Sequence, residues 1–133
     1  MRIIAVISAA IIVALSGCRV GTGGADLPVA KQPGGAQVSF RVSSGVYTGE
    51  LLAMQDDGVV IGNDRVLFAP YTAIESFAVE KMGRDFQLGR ADTPTGSRLE
   101  RFRAVSRFPQ GLAPNIRAQV LAQRSQTEIV VVR

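Results

Sequence analysis

Cys18 is the only thiol in this 133-residue chain, and no histidine accompanies it. A thiol with no imidazole to deprotonate it is poorly equipped as a nucleophilic catalyst. A single cysteine also precludes an intramolecular disulfide, and no Cys/His cluster exists to hold a zinc ion. Ser97 and Ser106 meet the same obstacle, since a serine–lysine pair has only Lys31 and Lys81 to draw on. Asp56 and Asp57 are adjacent carboxylates, but Gly58 follows them and the triplet reads as a tight turn rather than an acid/base pair. Glu50 and Glu75 are carboxylates that strand pairing could bring face to face. These residue types and spacings lead us to expect no catalytic residue, no metal and no cofactor. The remaining candidates are cationic. Arg98, Arg101, Arg103 and Arg107 are closely spaced and could meet anionic headgroups or glycan phosphates, at about 1 kcal/mol per residue near an anionic surface.

The segment before Cys18 gives that thiol a different role. Met1-Arg2 supply a short positive start, and residues 3–15 are apolar apart from Ser8. A bilayer span needs roughly twenty apolar residues, so this shorter run predicts a secretory signal peptide rather than a membrane helix. The run closes on Leu15-Ser16-Gly17-Cys18. That string resembles the lipobox of bacterial lipoproteins: an aliphatic residue, a small residue, Gly or Ala, then Cys. The resemblance implies a signal peptide over residues 1–17, with cleavage between Gly17 and Cys18. It further implies diacylglycerol on the Cys18 thiol and often an acyl group such as palmitate on the new amine. Two or more chains anchor a protein stably, at about 0.8 kcal/mol per buried CH₂. In enteric members an aspartate after the cysteine favours inner-membrane retention. Arg19 departs from that signal, so the resemblance points to the periplasmic face of the outer membrane.

Residues 18–36 then read as the lipidated cysteine and a flexible tether, rich in Gly, Pro and Ala without an apolar period. A Gly-rich coil of this length spans roughly 20–25 Å root-mean-square. Charge is uneven beyond it. Residues 19–80 carry four cationic side chains against seven acidic ones, and residues 81–133 carry ten against four. A basic C-terminal half could touch phosphate, anionic lipid or an acidic partner.

From residue 37 the texture changes. Val38, Phe40 and Val42 alternate with Ser39 and Arg41, the period of a half-buried strand. Further strands are predicted at 46–55, 59–61, 65–69 and 73–81, separated by Ser43-Ser44-Gly45, Asp56-Asp57-Gly58, Gly62-Asn63-Asp64 and Pro70-Tyr71. Gly49 lies inside the long second strand and marks the expected bend. Turns this close together force local antiparallel pairing, and curling would hide the apolar face. Phe40, Tyr47, Phe68 and Tyr71 could form a peptide-binding patch, but core packing is the expected role.

The second strand "GVYTGEL", the "DDG" hairpin, the short third strand and the "IESF" lead into the fifth together resemble a small SH3-like or Sm-like barrel, over residues 37–81. That resemblance implies a five-stranded barrel. The Sm-like family binds RNA through an asparagine-containing loop and assembles into rings. Asn63 occupies a turn, but its neighbours depart from that pocket, and an exported lipoprotein does not meet RNA. No nucleic-acid partner is expected, and the oligomeric state is left open.

Residues 83–97 read as a mobile loop. Ser97 and Glu100 form a capping-box pattern, followed by Leu99, Phe102 and Val105 at helical spacing and a stop at Phe108-Pro109. Pro114 suits the first turn of a second helix, with Ile116, Val120 and Leu121 on its buried stripe and Gln126 at its end. Residues 127–132 form a final strand run of high β propensity. The expected architecture is mainly β with C-terminal α (α+β): a small barrel over 37–82, then a helical hairpin and a final strand over 98–133. The expected function is a lipid-anchored cell-envelope protein with a non-enzymatic interaction or scaffolding role, meeting the membrane through Cys18 and an envelope protein as partner. The alternatives are a module binding anionic lipid or glycan through its arginines, and an envelope hydrolase with an unrecognised carboxylate site.

Overall fold

The computed structural model describes residues 34–133. Cys18, Gly17, the signal peptide and most of the tether lie outside the described residues. Strand β1 (Gln37–Val42) follows its period, with Val38, Phe40 and Val42 buried. Strand β2 (Gly45–Met54) alternates in its first half, but Leu51, Leu52, Ala53 and Met54 are all buried. Strands β3 (Gly58–Gly62) and β4 (Val66–Pro70) continue the meander, and a 3₁₀ turn at Tyr71–Ala73 leads to β5 (Ser76–Val79).

A bulge explains the four consecutive buried residues of β2. Leu51 faces Ile61 and Ala53 faces Val60, so Leu52 has no partner across the ladder. An extra residue in one strand lets neighbouring side chains share a face and bends the strand. Leu51 and Met54 join one apolar cluster, while Leu52 and Ala53 join a second. The bend was expected at Gly49. That glycine instead permits close approach, because a Cβ there would stand 2.7 Å from the Gly62 carbonyl oxygen. Buried on both sides, β3 reads as a continuous apolar run, as a two-sided strand must.

The five-stranded barrel is not observed. The sheet is open and seven-stranded, in the order β6-β5-β1-β2-β3-β4-β7. Two C-terminal pieces border it: β6 (Gln87–Leu88) is antiparallel to β5, and β7 (Val130–Val131) is parallel to β4. Each is two residues long, too short to carry a period in sequence. The mainly β, α+β class stands, with two C-terminal helices.

Those helices do not pack as a hairpin; they cover different clusters. Helix α1 (Gly96–Val105) buries Leu99 and Phe102 in the first cluster. Phe102 meets Phe77 and Phe86 edge-on, with ring centroids 5.8 and 5.7 Å apart. Helix α2 (Pro114–Ala122) starts on its proline as expected and buries Val120 and Leu121 in the second. The capping box does not form: Thr95 is the N-cap, Ser97 lies inside the first turn, and Glu100 reaches forward to Arg103 at 2.9 Å. The chain also leaves α1 before the Phe108-Pro109 stop. Arg107 and Phe108 donate their N–H groups to the Leu51 and Leu52 carbonyls, each at 2.9 Å. The bulge thus captures the backbone that would have continued the helix. The final strand is two residues rather than six, because a turn at Gln123–Ser125 and the Gln126 side chain occupy the approach to β4.

Candidate functional site

The site begins with the four arginines of the C-terminal half. Helix α1 and the turn after it carry all four, and each meets an acidic partner. Arg98 holds Asp92 through two hydrogen bonds, 2.9 and 2.6 Å, and a third donor reaches the Gln87 carbonyl at 3.1 Å. The Arg98 guanidinium keeps the Asp92 carboxyl below the usual carboxylate range, and Asp92 raises Arg98 in return. Arg101 lies 4.0 Å from Asp85, a loose surface contact. Arg103 donates to Glu100, to Asp56 at 3.1 Å and to the Met54 carbonyl at 3.1 Å. Its acidic neighbours, Glu100 first, raise its affinity for a proton. Arg107 lies 3.7 Å from Glu50 and stacks over the Phe108 ring at 5.3 Å. An arginine engaged by a carboxylate presents a dipole rather than a free charge, so this face is far less cationic than its sequence.

The carboxylates are correspondingly dispersed. Glu50 is half-buried and accepts the Gly35 N–H at 2.7 Å. Asp56 is tied to Arg103, and Asp57 offers its backbone carbonyl to the Tyr71 N–H in the β2–β3 turn. Glu75 lies 3.7 Å from Arg90. Glu50 and Glu75, which strand pairing could have brought face to face, are separated: β1 pairs with β2 on one side and β5 on the other. Ser106 caps α1 by donating to the Arg103 carbonyl at 2.7 Å, and Ser97 is exposed in the first turn.

The four aromatics do not make one patch. Phe40 stacks on Tyr47 at 5.6 Å. Tyr71 is buried and donates its hydroxyl to the Gln55 carbonyl at 2.6 Å, and burial raises its phenol well above the ordinary value. Phe68 packs half-buried against the second cluster.

Besides a cavity of about 320 Å³ beside Glu75 and Arg90, two concave features bear on these side chains. Arg103, Asp56 and Glu100 line one of about 590 Å³, closed on its far side by the 109–113 loop. Its polar groups already bond to one another. The other is a groove along β7 and α2, where cavities of about 200 and 480 Å³ meet at Arg117. Sequence reasoning did not single out Arg117 or Val131. The available signal was an isolated arginine on a weakly amphipathic helix, followed by a valine-rich run with no charge before Arg133. Among the described residues, no helix is long and apolar enough to cross a membrane. Compared with protein-family models, curated proteins and solved structures, the chain matches none of them.

Proposed function

We propose that this chain is a lipid-anchored cell-envelope protein whose folded domain serves interaction or scaffolding. One observation carries the anchor: a positive start, a short apolar run and Leu15-Ser16-Gly17-Cys18 in succession. With acyl chains on Cys18, the folded domain is held within a tether's reach of the bilayer. The outer membrane is the proposed location because Arg19 follows the cysteine. The domain's own chemistry supports an interaction role over the two alternatives. Arg98, Arg103 and Arg107 are engaged by carboxylates and only Arg101 is loosely held, which weakens the case for an anionic lipid or glycan site. Glu50, Asp56 and Glu75 are engaged by separate partners and Asp57 sits in the turn beside Asp56, which weakens the case for a carboxylate hydrolase.

The test is metabolic labelling with radioactive palmitate. The wild-type chain is expected to take up label and to fractionate with membranes. Cys18→Ala is expected to remain an unlabelled, uncleaved precursor. A Cys18→Ala protein that is still processed to the mature size and released in soluble form would end the lipoprotein reading.

A further inference from the structure

The two edges of the sheet are finished differently. At the β6 edge, the Arg98 guanidinium occupies the Gln87 carbonyl. At the opposite edge, β7 runs parallel to β4 with Val131 opposite Phe68, and Val132 donates its N–H to the Phe68 carbonyl at 2.9 Å. In a parallel ladder the residues flanking such a partner bond inward, while the partner's own N–H and C=O point to the far side. Val131 therefore offers one donor and one acceptor outward, and it is 51% exposed. An open strand edge beside an exposed apolar side chain is a template for another strand.

The neighbouring side chains define what that strand would carry. Gln55, Asp57, Phe68, Arg117, Ile129 and Val131 line the cavity of about 200 Å³, whose apolar part, Phe68, Ile129 and Val131, has room for one apolar side chain. Among the described residues, no carboxylate lies within 4.0 Å of the Arg117 guanidinium; Asp57 and Glu128 border the same groove without reaching it. This distinguishes Arg117 from the four engaged arginines. Guanidinium groups favour carboxylates, which they can grip with two parallel hydrogen bonds.

We propose that the outer edge of β7 docks an extended segment of a partner protein that carries a carboxylate side chain. The segment pairs with the Val131 N–H and C=O, seats an apolar side chain against Phe68 and Ile129, and sets its carboxylate on Arg117. The proposal rests on the interaction reading above and names its site, but it does not depend on the anchor.

The experiment is a nuclear magnetic resonance titration of the isotopically labelled full chain in detergent micelles. The probes are capped pentapeptides Thr-X-Thr-Asp-Thr and Thr-Asp-Thr-X-Thr, where X is Val, Leu or Phe, which put X and Asp on one face of an extended chain, and the same peptides with Lys in place of Asp. The Asp peptides are expected to shift the Val131 amide resonance. Arg117→Glu should weaken their binding by about tenfold or more, and the Lys peptides should recover it on that variant. Val131→Pro, which removes the outward N–H and spares the ladder, should abolish binding, read for that variant at the Val132 and Arg117 resonances. No Val131 shift with any peptide, or Asp-peptide binding that ignores Arg117→Glu, overturns the proposal. Such a failure leaves the Cys18 labelling result untouched, and failed labelling leaves this titration unaffected.

Discussion

Gly35 and Leu51 approach so closely that a Cβ on residue 35 would stand 2.0 Å from the Leu51 carbonyl oxygen and 2.9 Å from the Arg107 amide nitrogen. Both neighbours are backbone, so neither can swing aside. The contact exists because residues 34–36 are wedged between the β2 bulge and the turn after α1. Ala36 donates to the Val105 carbonyl at 2.9 Å and accepts from Leu51 at 2.8 Å. The last residues of the expected tether therefore belong to the folded domain.

Gly35→Ala is expected to destabilise the domain by about 1–3 kcal/mol, the range for forced overpacking. Gly34→Ala is the control, because its nearest neighbour is the Glu50 Oε1 atom at 3.9 Å. It should change stability by less than about 0.5 kcal/mol. Urea unfolding of both variants checks this, and equal effects would show that the wedge contributes nothing.

Arg98→Ala is expected to cost about 1 kcal/mol at neutral pH, kept small because both side chains of the pair are roughly a third exposed. Its pH dependence is the sharper readout. Arg98 lowers the folded-state value of Asp92, so the pair contributes stability above the ordinary Asp value of about 3.9. That contribution is lost as pH falls through the depressed value. The difference between wild type and Arg98→Ala should therefore be constant from about pH 7 to 5 and shrink below about pH 4. A difference that stays constant through the acid range would contradict the assignment.

Gln126 completes the β4 edge with a side chain. Its Oε1 accepts the Val66 N–H at 2.6 Å, and its Nε2 donates to the Val66 carbonyl at 3.4 Å. Val66 is 1% exposed, so water cannot replace the amide without opening the structure. Gln126→Leu should cost about 1–3 kcal/mol, the range for stranding a buried donor. Hydrogen exchange at the Val66 amide should accelerate to match. Unchanged exchange would mean that another group takes over.

Local sequence signals located most of the elements. The alternation of Val38, Phe40 and Val42 marked β1, Asp56-Asp57-Gly58 marked the β2–β3 turn, and Pro114 marked the start of α2. Each depends on residues a few positions apart. The capping box failed because α1 starts at Gly96 with Thr95 as N-cap, which puts Ser97 inside the first turn and leaves Glu100 to pair with Arg103. The barrel failed because strands of two residues, β6 and β7, leave no period to detect and yet border both sides of the sheet. In the candidate site, the clustering of Arg98, Arg101, Arg103 and Arg107 was plain in sequence, but their partners were not. Arg103 and Asp56 are separated by 47 positions, and Gln126 and Val66 by 60.

The amino-acid string alone carried the Leu15-Ser16-Gly17-Cys18 pattern, the mainly β, α+β class and the lack of histidine. All of these reside in residue identity or in short-range periodicity. Tertiary structure decided where charge is spent and where the sheet stays open. It brought Asp56 onto Arg103 and Glu50 onto Arg107, so a cluster of arginines in sequence became largely ion-paired. Among the described residues it left no carboxylate within ion-pair distance of Arg117, which lines one cavity with Val131. Such pairings rest on loop closure and burial across dozens of residues, and no local pattern encodes them.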